Sequence, residues 1–483
     1  MSHQDRMKDI VVNHQTIKQV VDRLMPTHLF ASMHTRAGAK WKARVLAVTA
    51  MLWALSGLPT LKGRFDQARK IASKLFRWQP APGMTYQGFM KVLRKWHATL
   101  QLVINPHIRN VMKETLPGQW EIAGYVVFAG DGSRVELART DSLEEAFSPK
   151  RKKKMQGSGK GKGKNGKGGR DGTCQRAKKR QSDQSHAKKK NSPQMWLTLM
   201  WHVGTGLPWD WRTGPSDSSE RSHLEEMLPE LPENSLITAD AGFVGYDFWR
   251  NLMDSRHNFV IRVGGNVQLI KKLGFARQYD HTVYLWPNKA MKKNQPPLVL
   301  RLVVVHNGKH PVYLVTNLTK SELSDQQAAT IYAARWGIEL YFRTFKQTFG
   351  CRKLRSRSAE NANIELDWAM LGLWCLCLVG QQELEESGEN PTWLSAAAAI
   401  KAFQGILYEY RVRPEGPDET LWAQLRVAVL DGYHRTSSKT SRNYPRKKTR
   451  EKMGKPKITA ATKQQINAAK RLKEKEPQFQ LSA

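Results

Sequence analysis

Acidic residues and cysteines are both scarce in this 483-residue chain. Asp and Glu number 42 against 78 Lys and Arg, a formal net charge of +36 and a sequence pI of about 10.1. That imbalance is foreign to enzymes of small neutral substrates and favours a polyanionic partner, DNA or RNA before a membrane surface. Four cysteines exclude a disulfide framework: Cys174 lies in a basic tract, Cys351 follows a glycine, and Cys375 and Cys377 share an apolar run with no second pair at zinc-site spacing. Long hydrophobic runs are missing too. The longest, residues 368–380 (WAMLGLWCLCLVG), is about half of the ~20 residues that cross a bilayer and reads as a buried core helix. The first ten residues, MSHQDRMKDI, lack a secretory apolar stretch, so a reducing cytoplasmic compartment is expected. No His-Glu-x-x-His occurs, and GKGKNGKG at 161–168 fails as a nucleotide loop because Gly168 stands where the metal-binding hydroxyl belongs. No nucleotide and no membrane are expected as partners.

What is present is enough to build a core: 40% hydrophobic residues and 16 Trp, in a length that suggests about three structural units. Residues 1–116 carry helical periodicity, as in 10–24, 41–55 and 86–100, and read as an all-α N-terminal DNA-binding region. Thr85-Tyr86-Gln87 opens a helix bearing Lys91, Arg94 and Lys95, either a DNA-reading helix or an amphipathic helix with a solvated basic face. The pattern then changes. YVVFAGDGSRVEL at 125–137, QMWLTLMWHV at 194–203 and LPWDWRTG at 207–214 predict a three-stranded antiparallel unit, with Asp131 on the first strand. His202 reads as a core or turn histidine. Asp217-x-x-Glu220 resembles a capping box, and SLITAD and NFVIRV add two strands, the first ending at Asp240. A β-rich subdomain is expected at 264–318, with an Asn307-Gly308 hairpin, followed by helices across 319–432.

Two segments cannot form a core. Residues 149–190 hold 17 Lys and Arg against Asp171 and Asp183, and residues 434–483 hold 15 against Glu451, Glu474 and Glu476. Both read as disordered arms giving salt-sensitive, sequence-independent affinity for nucleic acid, and they carry most of the excess charge. The tail is taken from residue 433.

The most informative stretch is YAARWGIELYFRTFK, in which Tyr332, Arg335, Glu339 and Lys346 follow the spacing Tyr-x2-Arg-x3-Glu-x6-Lys. On one continuous helix, at about 100° per residue, the four share an arc of about 60° beside an apolar face. A solvated stripe with an Arg–Glu i,i+4 pair accounts for the same wheel. The spacing, with Asp131 and Asp240 at upstream strand ends, resembles the Tyr-Arg-Glu-Lys signature of bacterial DDE transposases of the insertion-sequence-four type, over residues 120–380. Asp131-Gly132-Ser133 and TADAGF fit the surroundings of that family's first two acids.

The resemblance implies an α/β fold: a ribonuclease-H-like catalytic core begun by residues 120–263, interrupted by the β-rich insertion and completed by the helices of 319–432, behind an all-α N-terminal domain. It also implies catalysis and metal binding by Asp131, Asp240 and Glu339, holding two Mg²⁺ ions with Mn²⁺ as a substitute. Hard ions of this kind take oxygen ligands, which suits three carboxylates. By the same resemblance Tyr332, Arg335 and Lys346 bind DNA near the scissile phosphate. Trp286, in VYLWPN, is a candidate to stack an extruded base, ordinary β-core packing being the other reading. Lys353, Arg355 and Arg357 alternate just after the signature and either follow the DNA backbone or line a solvated loop. The implied function is cleavage of an element's terminal inverted repeats and joining of their 3′ hydroxyls to target DNA, by a DNA-bound homodimer near the bacterial nucleoid. A ribonuclease-H-like nuclease without strand transfer and a non-catalytic DNA-binding derivative are the alternatives.

Overall fold

A computed structural model describes residues 17–36, 38–76, 82–149, 193–276, 281–307, 310–412, 420–430 and 454–475. The basic tract expected at 149–190 lies, but for Pro149, outside them, as do residues 433–453 and 476–483 of the tail.

Four helices open the chain: α1 (Ile17–Leu24), α2 (Ala43–Leu55), α3 (Leu61–Leu75) and α4 (Tyr86–Thr115). Thr60 and Thr85 cap α3 and α4 by accepting from Gly63 N–H and Gly88 N–H, at 3.0 and 3.2 Å. Helix α2 is buried along almost its whole length, because it packs on α11 (Ala359–Glu386), the helix that contains the apolar run. α11 is long and apolar enough to cross a membrane, and it lies almost entirely inside the protein.

The centre is a ten-stranded mixed sheet in the order β10-β6-β7-β8-β9-β5-β4-β1-β2-β3. The expected antiparallel unit forms from β1 (Val127–Glu136), β2 (Gln194–His202) and β3 (Leu207–Gly214). β4 (Leu236–Ala239) and β5 (Asn258–Val263) then add to β1 in parallel. Helix α5 (Asp141–Phe147) follows β1, α6 (Glu220–Met227) links β3 to β4, and α7 (Tyr246–Asp254) links β4 to β5. These parallel strands are covered on both faces, and LITA and FVI are accordingly buried throughout.

The β-rich segment forms β6 (Gln268–Lys271), β7 (Thr282–Leu285), β8 (Leu298–Asn307) and β9 (His310–Thr316), with α8 (Asn288–Lys292) between β7 and β8. β8 and β9 make the expected hairpin, and β9 pairs antiparallel with β5, so these strands continue the central sheet. The tail differs from expectation. β10 (Lys457–Ala460) pairs parallel with β6, and α14 (Lys463–Lys475) buries Ala469 and Leu472. KITA is a short β-prone run, and the Ala469/Leu472 spacing supplies one apolar stripe amid the lysines.

Beyond the sheet come α9 (Asp325–Ala334), α10 (Gly337–Arg343), a π-helical turn (Thr344–Thr348), α11, α12 (Ala396–Val412) and α13 (Thr420–Arg426). The single continuous signature helix is thus corrected to two α-helices and a π turn. Ser324 and Gln327 close a capping box at the start of α9. At its end Ile338 N–H and Glu339 N–H bond back only three residues, to Arg335 and Trp336, a tight turn opposite in sense to the wide π turn that follows.

Candidate active site

Asp131 and Asp240 are neighbours by strand register. Gly130 on β1 is paired in parallel with Ala239, the last residue of β4, so Asp131 follows in the middle of β1 and Asp240 just past the end of β4. The parallel pairing of the two strands stops here, at the carboxyl end of β4, where α/β sheets leave a crevice. Glu339 arrives from α10, which packs on β1.

The other signature residues tie these elements together. Tyr332 donates its hydroxyl to Asp240 Oδ1 at 3.4 Å, and Arg262 of β5 stands 3.6 Å from the same oxygen. Arg335 lies over the Tyr332 ring at 5.4 Å and reaches Glu339 Oε1 at 3.5 Å, with its guanidinium almost wholly buried. Lys346 Nζ donates to Ser133 Oγ, two residues beyond Asp131. The four residues therefore do gather, although not on one ideal arc. Tyr332 faces β4, and the π turn swings Lys346 round to β1.

Burial pushes the Asp131 carboxyl up to about 6. The negative charges of Glu339 and Asp240 push the same way, against the Gly132 N–H bond at 2.9 Å and Arg335. Burial also lowers the Lys346 ammonium and raises the Tyr332 hydroxyl. The carboxylates act on one another through charge without closing on a point: among the described residues no three His, Cys, Asp or Glu stand as ligands of one ion.

Three residues escaped the sequence. Glu220 was expected in a capping box with Asp217, but the cap of α6 is Ser219, which accepts from Ser222 N–H at 3.4 Å. Glu220 is the first residue of that helix, and a methyl at Gly132 would lie 2.6 Å from its Oε1. Burial and the charges of Asp131 and Asp240 raise its carboxyl. Arg262 was hidden in an apolar strand. Trp336, between Arg335 and Gly337, is 50% exposed, and Leu340 beside it 44%; an aromatic turned outward next to the signature was the available signal.

Trp286 is a correction. Its ring is 3% exposed and its indole N–H donates to the Gln295 carbonyl at 2.8 Å. The ring fills the core under β7 and β8 and is not offered to a base. Lys353, Arg355 and Arg357 are exposed, alternating with buried Leu354 and Ser356. His202 is fully buried, its ring stacked on Trp120 at 4.7 Å between centroids.

Residues 170–377 match the family model of the transposase DDE domain. The match contains Asp240 and the whole Tyr332 to Lys346 signature and begins after Asp131. Over 168 residues the chain is 27% identical to transposase InsG for insertion sequence element IS4 of Escherichia coli (strain K12), covering 33% of this chain and 37% of that one. A Synechocystis sp. relative from insertion sequence element IS4SA is 24% identical over 187 residues, 35% of this chain and 52% of its own. The chain thus spans about a third to a half of the length of these curated relatives. A cryo-EM structure of the piggyBac transposase synaptic complex with hairpin DNA superposes with a TM-score of 0.38 at 12% identity, over 89% of this chain and 84% of that one. Over residues 170–377 this chain is similar to the transposase DDE domain, and it is similar to transposases of insertion sequence elements IS4 and IS4SA.

Proposed function

We propose that the protein is a DNA transposase that binds the terminal inverted repeats of an insertion sequence, cleaves its ends and joins the 3′ hydroxyls to target DNA. The observation that carries this reading is that Asp131 on β1, Asp240 just past β4 and Glu339 on α10 lie near enough to act on one another through charge, with Tyr332 bonded to Asp240, Arg335 to Glu339 and Lys346 to Ser133. The strand order β3-β2-β1-β4-β5, antiparallel and then parallel, supports a ribonuclease-H-like core.

Asp131, Asp240 and Glu339 offer the hard oxygen donors that Mg²⁺ or Mn²⁺ prefers, and Glu220 adds a fourth carboxylate beside Asp131. The raised Asp131 carboxyl supports the fit, since crowded buried carboxylates are relieved by a cation. Two such ions, when bound, supply activation of the attacking oxygen and charge for the leaving one.

The chain's own groups do the rest. Arg335, held by the Tyr332 ring and Glu339, presents a planar fork to a non-bridging phosphate oxygen. Lys346 places a point charge over β1. Tyr332 orients Asp240 through its hydroxyl. Trp336, exposed at the rim, takes the base-stacking role that the buried Trp286 ring cannot fill.

Supplying the full chain with pre-cut ends of its own element, a target plasmid and Mg²⁺ tests the proposal. Joined products are expected. Cutting without joining would instead support a ribonuclease-H-like nuclease, and neither would support a non-catalytic DNA-binding derivative. Synchronised work at two ends makes a DNA-bound homodimer the expected assembly.

A further inference from the structure

Buried carboxylates are costly unless they are paired or hydrogen-bonded. Glu365, in the second turn of α11, is 5% exposed and makes no ion pair with a Lys or Arg side chain among the described residues. Both its oxygens accept the Arg355 N–H at 3.1 Å, and Oε2 accepts the Ser356 N–H at 2.8 Å. These bonds tie Glu365 to the backbone of the segment between the π turn and α11, and its charge also acts on Arg64 of α3.

That segment starts at the proposed site. Arg352 N–H bonds to the Lys346 carbonyl at 3.1 Å. Glu136, at the end of the strand that bears Asp131, donates its N–H to the Arg352 carbonyl and accepts from Leu354 N–H, both at 2.9 Å. From there the side chains alternate, with Leu354 and Ser356 inward and Lys353, Arg355 and Arg357 outward. Lys353, Arg355 and Arg357 make no ion pair among the described residues. In an extended chain two alternate positions such as Lys353 and Arg355 lie ~6.6 Å apart, close to the separation of successive phosphates along a DNA strand, and Arg357 follows in a bend. Three uncompensated cations in a fixed row repel one another and are stabilised by a polyanion. At the far end Ser358 caps α11, and Arg94 of α4 reaches Glu360 Oε2 at 3.4 Å, with Lys91 and Lys95 exposed on the same helix.

We propose that the segment from Arg352 to Arg357 is a rail that carries one DNA strand from the acidic site toward α4, and that Glu365 is the positioning residue that holds its middle, at Arg355 and Ser356, in place. The inference rests on the transposase reading, since that reading brings DNA to the site.

The test is fluorescence anisotropy of the full chain with a labelled random-sequence duplex across a salt series, since the rail would touch only the DNA backbone. The slope of log K against log salt falls by about 0.9 for each phosphate that the protein no longer neutralises. The triple variant K353Q/R355Q/R357Q is expected to lose about two to three units of slope. Glu365→Gln keeps all three charges but turns an NH2 toward the backbone donors, and is expected to lose about one unit or more at a temperature where circular dichroism matches wild type. K271Q/K272Q, at the end of distant β6, is expected to change nothing. Should E365Q not fold, Ser356→Pro removes one of the bonded N–H groups without touching a charge and is expected to act the same way. An unchanged slope in the triple variant overturns the rail. A lowered slope there with a wild-type slope in a folded E365Q or S356P overturns the positioning role. No duplex binding by wild type at any salt overturns the transposase reading itself, and the rail with it.

Discussion

Gly337 lies flat against the Trp201 indole, where a methyl group would come within 2.1 Å of Cη2 and 2.8 Å of Cζ2. Trp201 is buried on β2, next to the strand of Asp131. This close approach sets how near α10, and with it Glu339, can come to the sheet. Gly337→Ala is expected to cost about 1–3 kcal/mol by overpacking and to lower strand cleavage even where the protein is fully folded. Trp201→Leu in the same chain is expected to return part of both losses. Urea unfolding of the two single variants and the double variant measures this coupling; strictly additive effects would contradict it.

Much of this site is legible in the sequence. Asp131 and Asp240 each follow an apolar run, which marks where the buried parallel pairing of β1 and β4 stops, and the Tyr332 to Lys346 spacing fixes one helical neighbourhood. What stays hidden depends on groups distant in sequence. The break before Gly337 answers to Trp201, 136 positions away. Glu220 is obscured because Ser219 and Asp217 are equally plausible caps from sequence. Trp286 misleads because a Trp at a strand end reads the same whether its ring points into a core or out of it. The tail misleads through composition, because a short strand and one apolar stripe suffice to dock a lysine-rich segment on β6.

The two tryptophans make opposite predictions. Trp286→Ala opens a core cavity and is expected to cost about 3–5 kcal/mol of stability. Trp336→Ala removes an exposed ring and is expected to change stability by less than about 0.5 kcal/mol. The same change should weaken binding of end DNA by about 1–3 kcal/mol, the worth of one stacked base. Melting curves and binding isotherms on both variants check this; a Trp336→Ala protein that binds as wild type would remove Trp336 from the site.

His202 predicts a pH dependence. Burial lowers its imidazole to about 3, and its Nδ1 accepts the Thr205 N–H at 3.1 Å. The unfolded chain binds a proton near pH 6.5 while the native protein does not. Stability is therefore full above pH 6.5 and falls as pH drops toward 3, by up to about 1.4 kcal/mol per pH unit from this residue. Burial lowers His223 and His257 as well, so the wild-type slope is a sum. His202→Phe is expected to flatten the dependence between pH 6.5 and 4.5 by one proton. Urea midpoints across that range measure it, and parallel curves for the two proteins would show that His202 is not the group.

Asp131, Asp240 and Glu339 are proposed to act as one site on DNA. The most direct measurement is Mg²⁺-dependent cleavage of a DNA end from the protein's own element by wild type, Asp131→Asn, Asp240→Asn and Glu339→Gln, with binding of the same DNA recorded alongside. Each variant is expected to lose at least about 10²–10³-fold in cleavage rate and to bind the end as tightly as wild type or more so, since each sheds a negative charge. A variant that binds normally and still cleaves at the wild-type rate would contradict the claim for that residue, and wild-type cleavage in all three would contradict the site.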